Sequence, residues 1–169
     1  ENIYRELILN GSNHPQSFVN LAILYKNKGY KKEIQNLLNT AIKLDPNYVN
    51  AHYHLAIFLK EEGELNSAIN SFLNVLKINP NFIDAIAGLA ITYRMVGSLN
   101  ASIQEYKRLL TIDPDNYQTY YNLAIAFQEN NNLEDAIISY KKSFNLNQDF
   151  AEALYNLGIA YKQNEELTK

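Results

Sequence analysis

His52 and His54 come nearest, by type and spacing, to a metal site in this chain. Residues two apart on a helix point roughly 200° away from each other, so this pair cannot hold one ion. The chain has no cysteine, which excludes a thiolate metal site and a disulfide framework. Its sequence has no glycine-rich phosphate loop and no serine in a nucleophile-elbow context. Because nucleophile, base and orienting group do not occur together, we expect no enzyme activity, no cofactor and no metal.

The sequence repeats itself at a fixed interval. Pro46, Pro80 and Pro114 follow one another at 34-residue spacing, and Gln148 stands where the next proline would fall. The segments around them read LDPNY, INPNF and IDPDN, and segments one helix later read NLAILY, HLAIFL, GLAITY, NLAIAF and NLGIAY. This self-similarity divides the chain into four full repeats and a partial fifth. The repeats are 15–48, 49–82, 83–116 and 117–150, with a partial repeat or cap at 151–169.

Each repeat predicts two helices joined by a tight turn. Counting positions within a repeat from Pro15, the apolar residues at 4, 7, 8 and 11 have helical spacing and form one buried stripe. Position 15 carries Gly29, Gly63, Gly97 and Asn131, which favour the left-handed conformation that ends a helix. In the fifth repeat this position is Glu165, so the last helix is expected to run on or to precede a truncated one. The residues after each proline, such as Asn47 and Asp115, are expected to cap the next helix.

These motifs resemble the tetratricopeptide repeat (TPR) family, over residues 15–164. The resemblance implies an all-α fold, a right-handed α-α superhelix of about ten antiparallel helices, in a single domain of residues 1–169. Residues 2–10 are expected to be the end of a preceding second helix. In this family the first helix of each repeat lines a concave groove, mainly through positions 2, 5, 6, 9, 12 and 13.

Applied residue by residue, the resemblance predicts a groove that binds a peptide or an extended protein segment. Position 9 is isoleucine in every repeat, and position 5 is aromatic in three. The predicted groove residues are Val19, Asn20, Ile23, Lys26, Tyr53, His54, Ile57, Lys60, Ile91, Arg94, Tyr121, Asn122, Ile125, Tyr155, Asn156, Ile159 and Lys162. An exposed apolar column of this kind usually marks a binding surface. The alternative is that neighbouring repeats half-bury the isoleucines.

Two further columns have more than one interpretation. Position 12 is basic in four repeats, either as a rail for an acidic or phosphorylated ligand or because a cation stabilises the end of a helix. The asparagines at position 6 resemble the amide ladder in the TPR region of O-GlcNAc transferase, where amides hold a peptide backbone. His54 and Gly88 interrupt that ladder. The two-carboxylate clamp of chaperone-binding TPR domains is absent, since Val19, Ile23 and His54 stand at its positions.

The composition argues against some classes of binding partner. The net charge of −3 argues against nucleic acid, and no apolar run reaches the roughly 18 residues of a membrane-spanning helix. We expect a cytoplasmic protein that binds another protein and inserts into no membrane. Two alternatives remain open. The chain is the substrate-recruiting region of a larger enzyme, such as a glycosyl-, sulfo- or other transferase, or a scaffold that forms homo-oligomers through open terminal helix faces.

Overall fold

The computed structural model describes Glu6, Gly11 and residues 13–167, with the backbone alone for Asn27, Glu166 and Leu167. Apart from Glu6, the predicted helix end at residues 2–10 lies outside the described residues. The described part of the chain contains nine α-helices and no strand. They are α1 Pro15–Tyr25, α2 Lys31–Leu44, α3 Val49–Glu61, α4 Leu65–Ile78, α5 Ile83–Met95, α6 Leu99–Ile112, α7 Tyr117–Glu129, α8 Leu133–Leu146 and α9 Ala151–Leu167. A short 3-10 helix, Lys26–Lys28, prolongs α1.

The turns follow the repeat pattern closely. The position-15 residues Gly29, Gly63, Gly97 and Asn131 have φ of 76°, 81°, 77° and 61°, which confirms the predicted left-handed conformation. The N-caps predicted for α3 and α7 are each wrong by one residue, since the observed N-caps are Tyr48 and Asn116. The side chain of Asn116 accepts from the amide of Thr119, whereas Tyr48 offers no capping side chain. The inter-repeat turn before α3 is held instead by Asp45, whose carboxylate accepts from the amide of Asn47 at 2.9 Å.

The chain forms two compact units, residues 1–85 and 86–169. In the first unit α1 packs against α2, α2 against α3, and α3 against α4, while α1 also contacts α3. Its core is one cluster of apolar side chains that includes Phe18, Leu21, Leu38 and Phe58. The apolar stripe of each first helix is therefore buried against the second helices, as the repeat pattern requires.

In the second unit α6 packs against α7, α7 against α8, and α8 against α9. The largest fully buried side chains include Tyr106, Tyr140, Ile86 and Leu89. Ser143 of α8 donates a hydrogen bond to the carbonyl of Tyr117 in α7 at 2.8 Å. This bond fixes the two helices of one repeat to each other and satisfies a fully buried hydroxyl.

Helix α9 is 17 residues long, whereas the first helices α3, α5 and α7 have 13 residues each. It continues through Glu165, which confirms that the helix runs on where glycine is replaced. One face of α9, including Ala153 and Leu157, is buried. On the other face Leu154 and Tyr161 are 52% and 40% exposed.

Among the described residues, no helix is both long and apolar enough to cross a membrane.

Candidate binding surface

The position-9 isoleucines form the centre of the predicted groove, and their exposure is uneven. Ile23 is 43% exposed, while Ile57, Ile91, Ile125 and Ile159 are half-buried. Half-burial leaves part of each of these four side chains open to solvent. The column therefore offers partly exposed apolar surface in each unit. Half-burial, the alternative interpretation, describes four of its five isoleucines.

The position-5 side chains differ in how much of their surface is exposed. Val19 is only 1% exposed and belongs to the core, so the prediction that Val19 lines the groove is wrong. A small aliphatic side chain at this position reaches no farther than the interhelical contact. The longer tyrosines extend beyond it: Tyr53 and Tyr121 are half-buried, and Tyr155 is 72% exposed. Three of these four side chains thus present aromatic surface to solvent.

The half-buried tyrosines are held by ring contacts. Tyr53 packs against Phe82 and Phe72, with ring centroids 5.1 and 6.3 Å apart. Tyr121 packs in the same way against Phe150 and Tyr140, at 4.8 and 5.8 Å. Burial raises the pKa of Tyr53, and the carboxylate of Asp84 raises it further. Because ring contacts already hold these two tyrosines in place, the side chains lose little conformational freedom when a partner contacts them.

The position-6 amides take part in local hydrogen bonds. Asn156 donates through Nδ2 to the hydroxyl of Tyr121 at 2.9 Å, which joins positions 5 and 6 of consecutive repeats. Asn20 accepts from Nε2 of Gln16 at 2.7 Å, and Gln16 in turn accepts from the hydroxyl of Tyr48. Asn122 is half-buried. Two of the three asparagines thus engage neighbours and keep only part of their bonding capacity for a peptide backbone.

Position 12 forms a contact that the sequence interpretation missed. Lys26 pairs with Glu61 at 2.6 Å, and Arg94 pairs with Glu129 at 2.7 Å. Gln128 donates to Gln163 at 2.7 Å, in the same register. Each contact joins position 12 of one repeat to position 13 of the next, and we call these contacts inter-repeat pairs.

The inter-repeat pairs alter the interpretation of position 12. The charges of Lys26 and Arg94 are each matched by a carboxylate, so these two positions carry no net charge toward a ligand. Lys60 is half-buried and Lys162 is exposed. In the sequence, Met95 stands at the position that would pair with Lys60. In the sequence, an acidic residue stands 35 positions after each of the paired cations. This spacing was the signal that could have identified Glu61 and Glu129 as their partners.

His54 is half-buried in the first unit. Desolvation by burial lowers the pKa of its imidazole, and the nearby ammonium of Lys26 lowers it further. The ring is therefore neutral at neutral pH. One small pocket formed by α1, α2 and α3 is lined by His54, Ile23, Ile57 and the Lys26–Glu61 pair. His52 faces away from this pocket, and its Nε2 lies 2.9 Å from the carbonyl of Pro46. Among the described residues, no group of three metal-ligating side chains occurs.

Known proteins share this architecture. Sequence models described as tetratricopeptide repeat match residues 15–48 and 37–70, and a TPR repeat model matches 93–131 and 129–165. No curated protein sequence matches the chain significantly.

Solved structures extend the comparison to almost the whole chain. MamA residues 41 to the end from Desulfovibrio magneticus RS-1 is 19% identical, with a TM-score of 0.84, over 92% of this chain and 87% of that one. A MamA crystal structure is 20% identical, with a TM-score of 0.80, over 88% and 87%. YrrB, described as a TPR protein with an unusual peptide-binding site, is 15% identical, with a TM-score of 0.82, over 96% and 84%. At such identities the likeness shows the fold, and together with the repeat matches it means that this chain belongs to the tetratricopeptide repeat family.

Proposed function

We propose that this chain is a protein-interaction module whose first-helix faces bind an extended segment of another protein. The observation that carries the proposal is the recurring apolar surface at positions 5 and 9. It includes Ile23 and Ile57 in the first unit, and Ile125, Tyr155 and Ile159 in the second. Soluble proteins rarely expose such surface repeatedly without a partner for it.

The chemistry of this surface favours a largely uncharged ligand. Lys26 and Arg94 are paired with carboxylates, so two of the four position-12 cations offer no net charge to an acidic or phosphorylated segment. Full desolvation of an isoleucine side chain contributes on the order of 1.5–3 kcal/mol. Half of that burial at two or three side chains supplies roughly 1.5–4.5 kcal/mol, so micromolar binding, at about 8 kcal/mol, also needs the aromatic surface at position 5 and hydrogen bonds to the bound segment.

The comparisons support the proposal at the level of the fold. YrrB, which has the same fold, is described as having a peptide-binding site. The described residues bring together side chains suited to contact and hydrogen bonding, and we propose that the chain itself is not an enzyme. Its recruiting role within a larger enzyme remains a compatible proposal, because binding by this surface would serve that role unchanged.

The test selects ligands from a phage library of random 12-residue peptides. The purified chain should enrich peptides over empty resin, with dissociation constants in the micromolar range. Ile23→Glu alters the first unit's face and Tyr155→Glu alters the second. Each selected peptide should lose about tenfold or more in affinity with one of these variants.

Ile138 supplies the matched control. It is 64% exposed and lies on α8, a second helix, outside the predicted columns. Ile138→Glu introduces the same charge at a similarly exposed isoleucine and should leave peptide binding unchanged. Circular dichroism should show equal helix content in all three variants. A lack of enrichment, or selected peptides that bind both face variants as tightly as the wild type, would remove the proposal.

A further inference from the structure

We propose that the pocket between α1, α2 and α3 is a specificity pocket that receives one branched aliphatic side chain, leucine or isoleucine, of the bound segment. This inference rests on the proposed function and names the chemistry of the ligand at one defined place. All the residues that line the pocket belong to the first unit.

The pocket is small and mostly apolar. Its volume is about 40 Å³, which exceeds the roughly 10–15 Å³ that one water-sized sphere requires. Ile34, Leu38 and Phe58 are buried core residues that form its inner wall. Ile23 and Ile57, which keep exposed surface, form its mouth. The branched end of a leucine or isoleucine side chain suits this space, whereas an aromatic ring system would be too large.

Leu38 explains the pocket at this repeat. It occupies position 24, where the other full repeats carry Phe72, Tyr106 and Tyr140. In the fourth repeat the hydroxyl of Tyr140 reaches position 12 and donates to Oε1 of Gln128 at 2.8 Å. Leu38 is too short to reach the corresponding residue, Lys26. The space beside Lys26 that an aromatic side chain would take is therefore left open.

The charges around the pocket favour an uncharged occupant. Lys26 and Glu61 both line it and neutralise each other at 2.6 Å. His54, the other titratable group in the lining, is neutral at neutral pH because burial and Lys26 lower its pKa. A charged side chain would lose its hydration on entering and find no unpaired opposite charge in the lining. An aliphatic side chain loses no hydrogen bonds on entering.

The test substitutes Leu38→Phe, which gives the first repeat the residue that the second already has. Peptides selected by the wild-type chain from the 12-residue library should share a leucine or isoleucine at one position. Changing that residue to alanine in a synthetic peptide should weaken binding to the wild type by about tenfold to a hundredfold. The same change should have little effect on binding to the Leu38→Phe variant, because the pocket is already filled.

Two further variants distinguish filling of the pocket from misfolding of the chain. Leu38→Ile conserves volume and should keep the wild-type preference. If Leu38→Phe does not fold by circular dichroism, Ile23→Ser at the exposed mouth replaces it and should weaken the same peptides. Xenon uptake, followed by NMR shifts of the Ile57 methyl groups, should be seen in the wild type and lost in Leu38→Phe.

The outcomes distinguish this inference from the proposed function. Enriched peptides with no shared aliphatic position, or equal peptide affinities in wild type and Leu38→Phe, would overturn the pocket and leave the binding module standing. A library that yields no binders at all would overturn both.

Discussion

The ammonium of Lys26 lies 2.6 Å from the carboxylate of Glu61, although the two residues are 35 positions apart in the chain. Arg94 and Glu129 repeat this relationship at 2.7 Å, and Gln128 and Gln163 repeat it without charge. The offset of one residue more than the repeat length arises because positions 12 and 13 meet between consecutive first helices. The inter-repeat pairs thus link neighbouring repeats on the face proposed to bind a partner.

We expect the Arg94–Glu129 pair to contribute modestly to stability. A double-mutant cycle with Arg94→Gln and Glu129→Gln, measured by urea unfolding, should give a coupling of about 0.2–1 kcal/mol, since both side chains are partly exposed. This coupling should shrink in 1 M salt. The uncharged Gln128–Gln163 pair is the control, and its coupling to alanine substitutions should not depend on salt. A charged pair with salt-independent coupling would contradict the assignment.

Ser102 offers a stabilising substitution. Within the described part of the chain, the buried hydroxyl of Ser102 has no hydrogen-bond partner. Ser102→Ala places there the residue found at Ala68 and Ala136, and should raise the free energy of unfolding by about 1 kcal/mol. Ser143→Ala is the matched control, because its hydroxyl donates to the carbonyl of Tyr117. That variant should lose about 1 kcal/mol, and equal effects in both variants would refute the explanation.

His54 should make stability depend on pH. Burial and Lys26 lower the pKa of the folded imidazole below its unfolded value of about 6.5. As pH falls from 7.5 through 6.5 to the folded pKa, the unfolded state binds more protons and the free energy of unfolding decreases. His54→Asn, which copies the position-6 residue of other repeats, should flatten this decrease. Identical pH profiles for His54→Asn and the wild type would contradict the prediction.

One substitution should have opposite effects at two glycines. Gly63 has φ of 81°, and a Cβ added there meets no atom within 4 Å, so Gly63→Ala is strained by its backbone conformation alone. It should lower stability by about 1–2 kcal/mol. Gly158 lies within α9 and has equally open surroundings without a positive φ. Gly158→Ala should therefore raise stability by roughly 0.5–1 kcal/mol in thermal or urea unfolding. A loss at Gly158 would show that its small size matters for packing.

The repeat pattern was sufficient to predict the helices, because their ends are set by local signals. Helix α1 begins at Pro15 as predicted, and the left-handed turns fall at Gly29, Gly63, Gly97 and Asn131. Such signals act within a few residues, so they can be identified from the sequence of a single repeat. The extension of α9 through Glu165 followed from the same rule.

The candidate surface was less predictable, because it depends on how side chains of different repeats meet. Position 5 holds a buried Val19 and an exposed Tyr155, so the column position alone did not determine exposure. The inter-repeat pairs were missed because each repeat was aligned with the next at the same position, and Glu61 and Glu129 stand one position later. The aliphatic pocket arises from a size difference at Leu38, which the family pattern tolerates.

The offset register of the inter-repeat pairs has a consequence for how such a chain can be rearranged. Each half of a pair is encoded in a different repeat, so duplication or loss of a 34-residue unit brings new neighbours together. Excision of residues 49–82 would place Lys26 beside Met95, and excision of residues 83–116 would place Lys60 beside Glu129. Repeats that share one backbone fold therefore cannot be reordered freely. The side chains at positions 12 and 13 match each other only in the present order of the repeats.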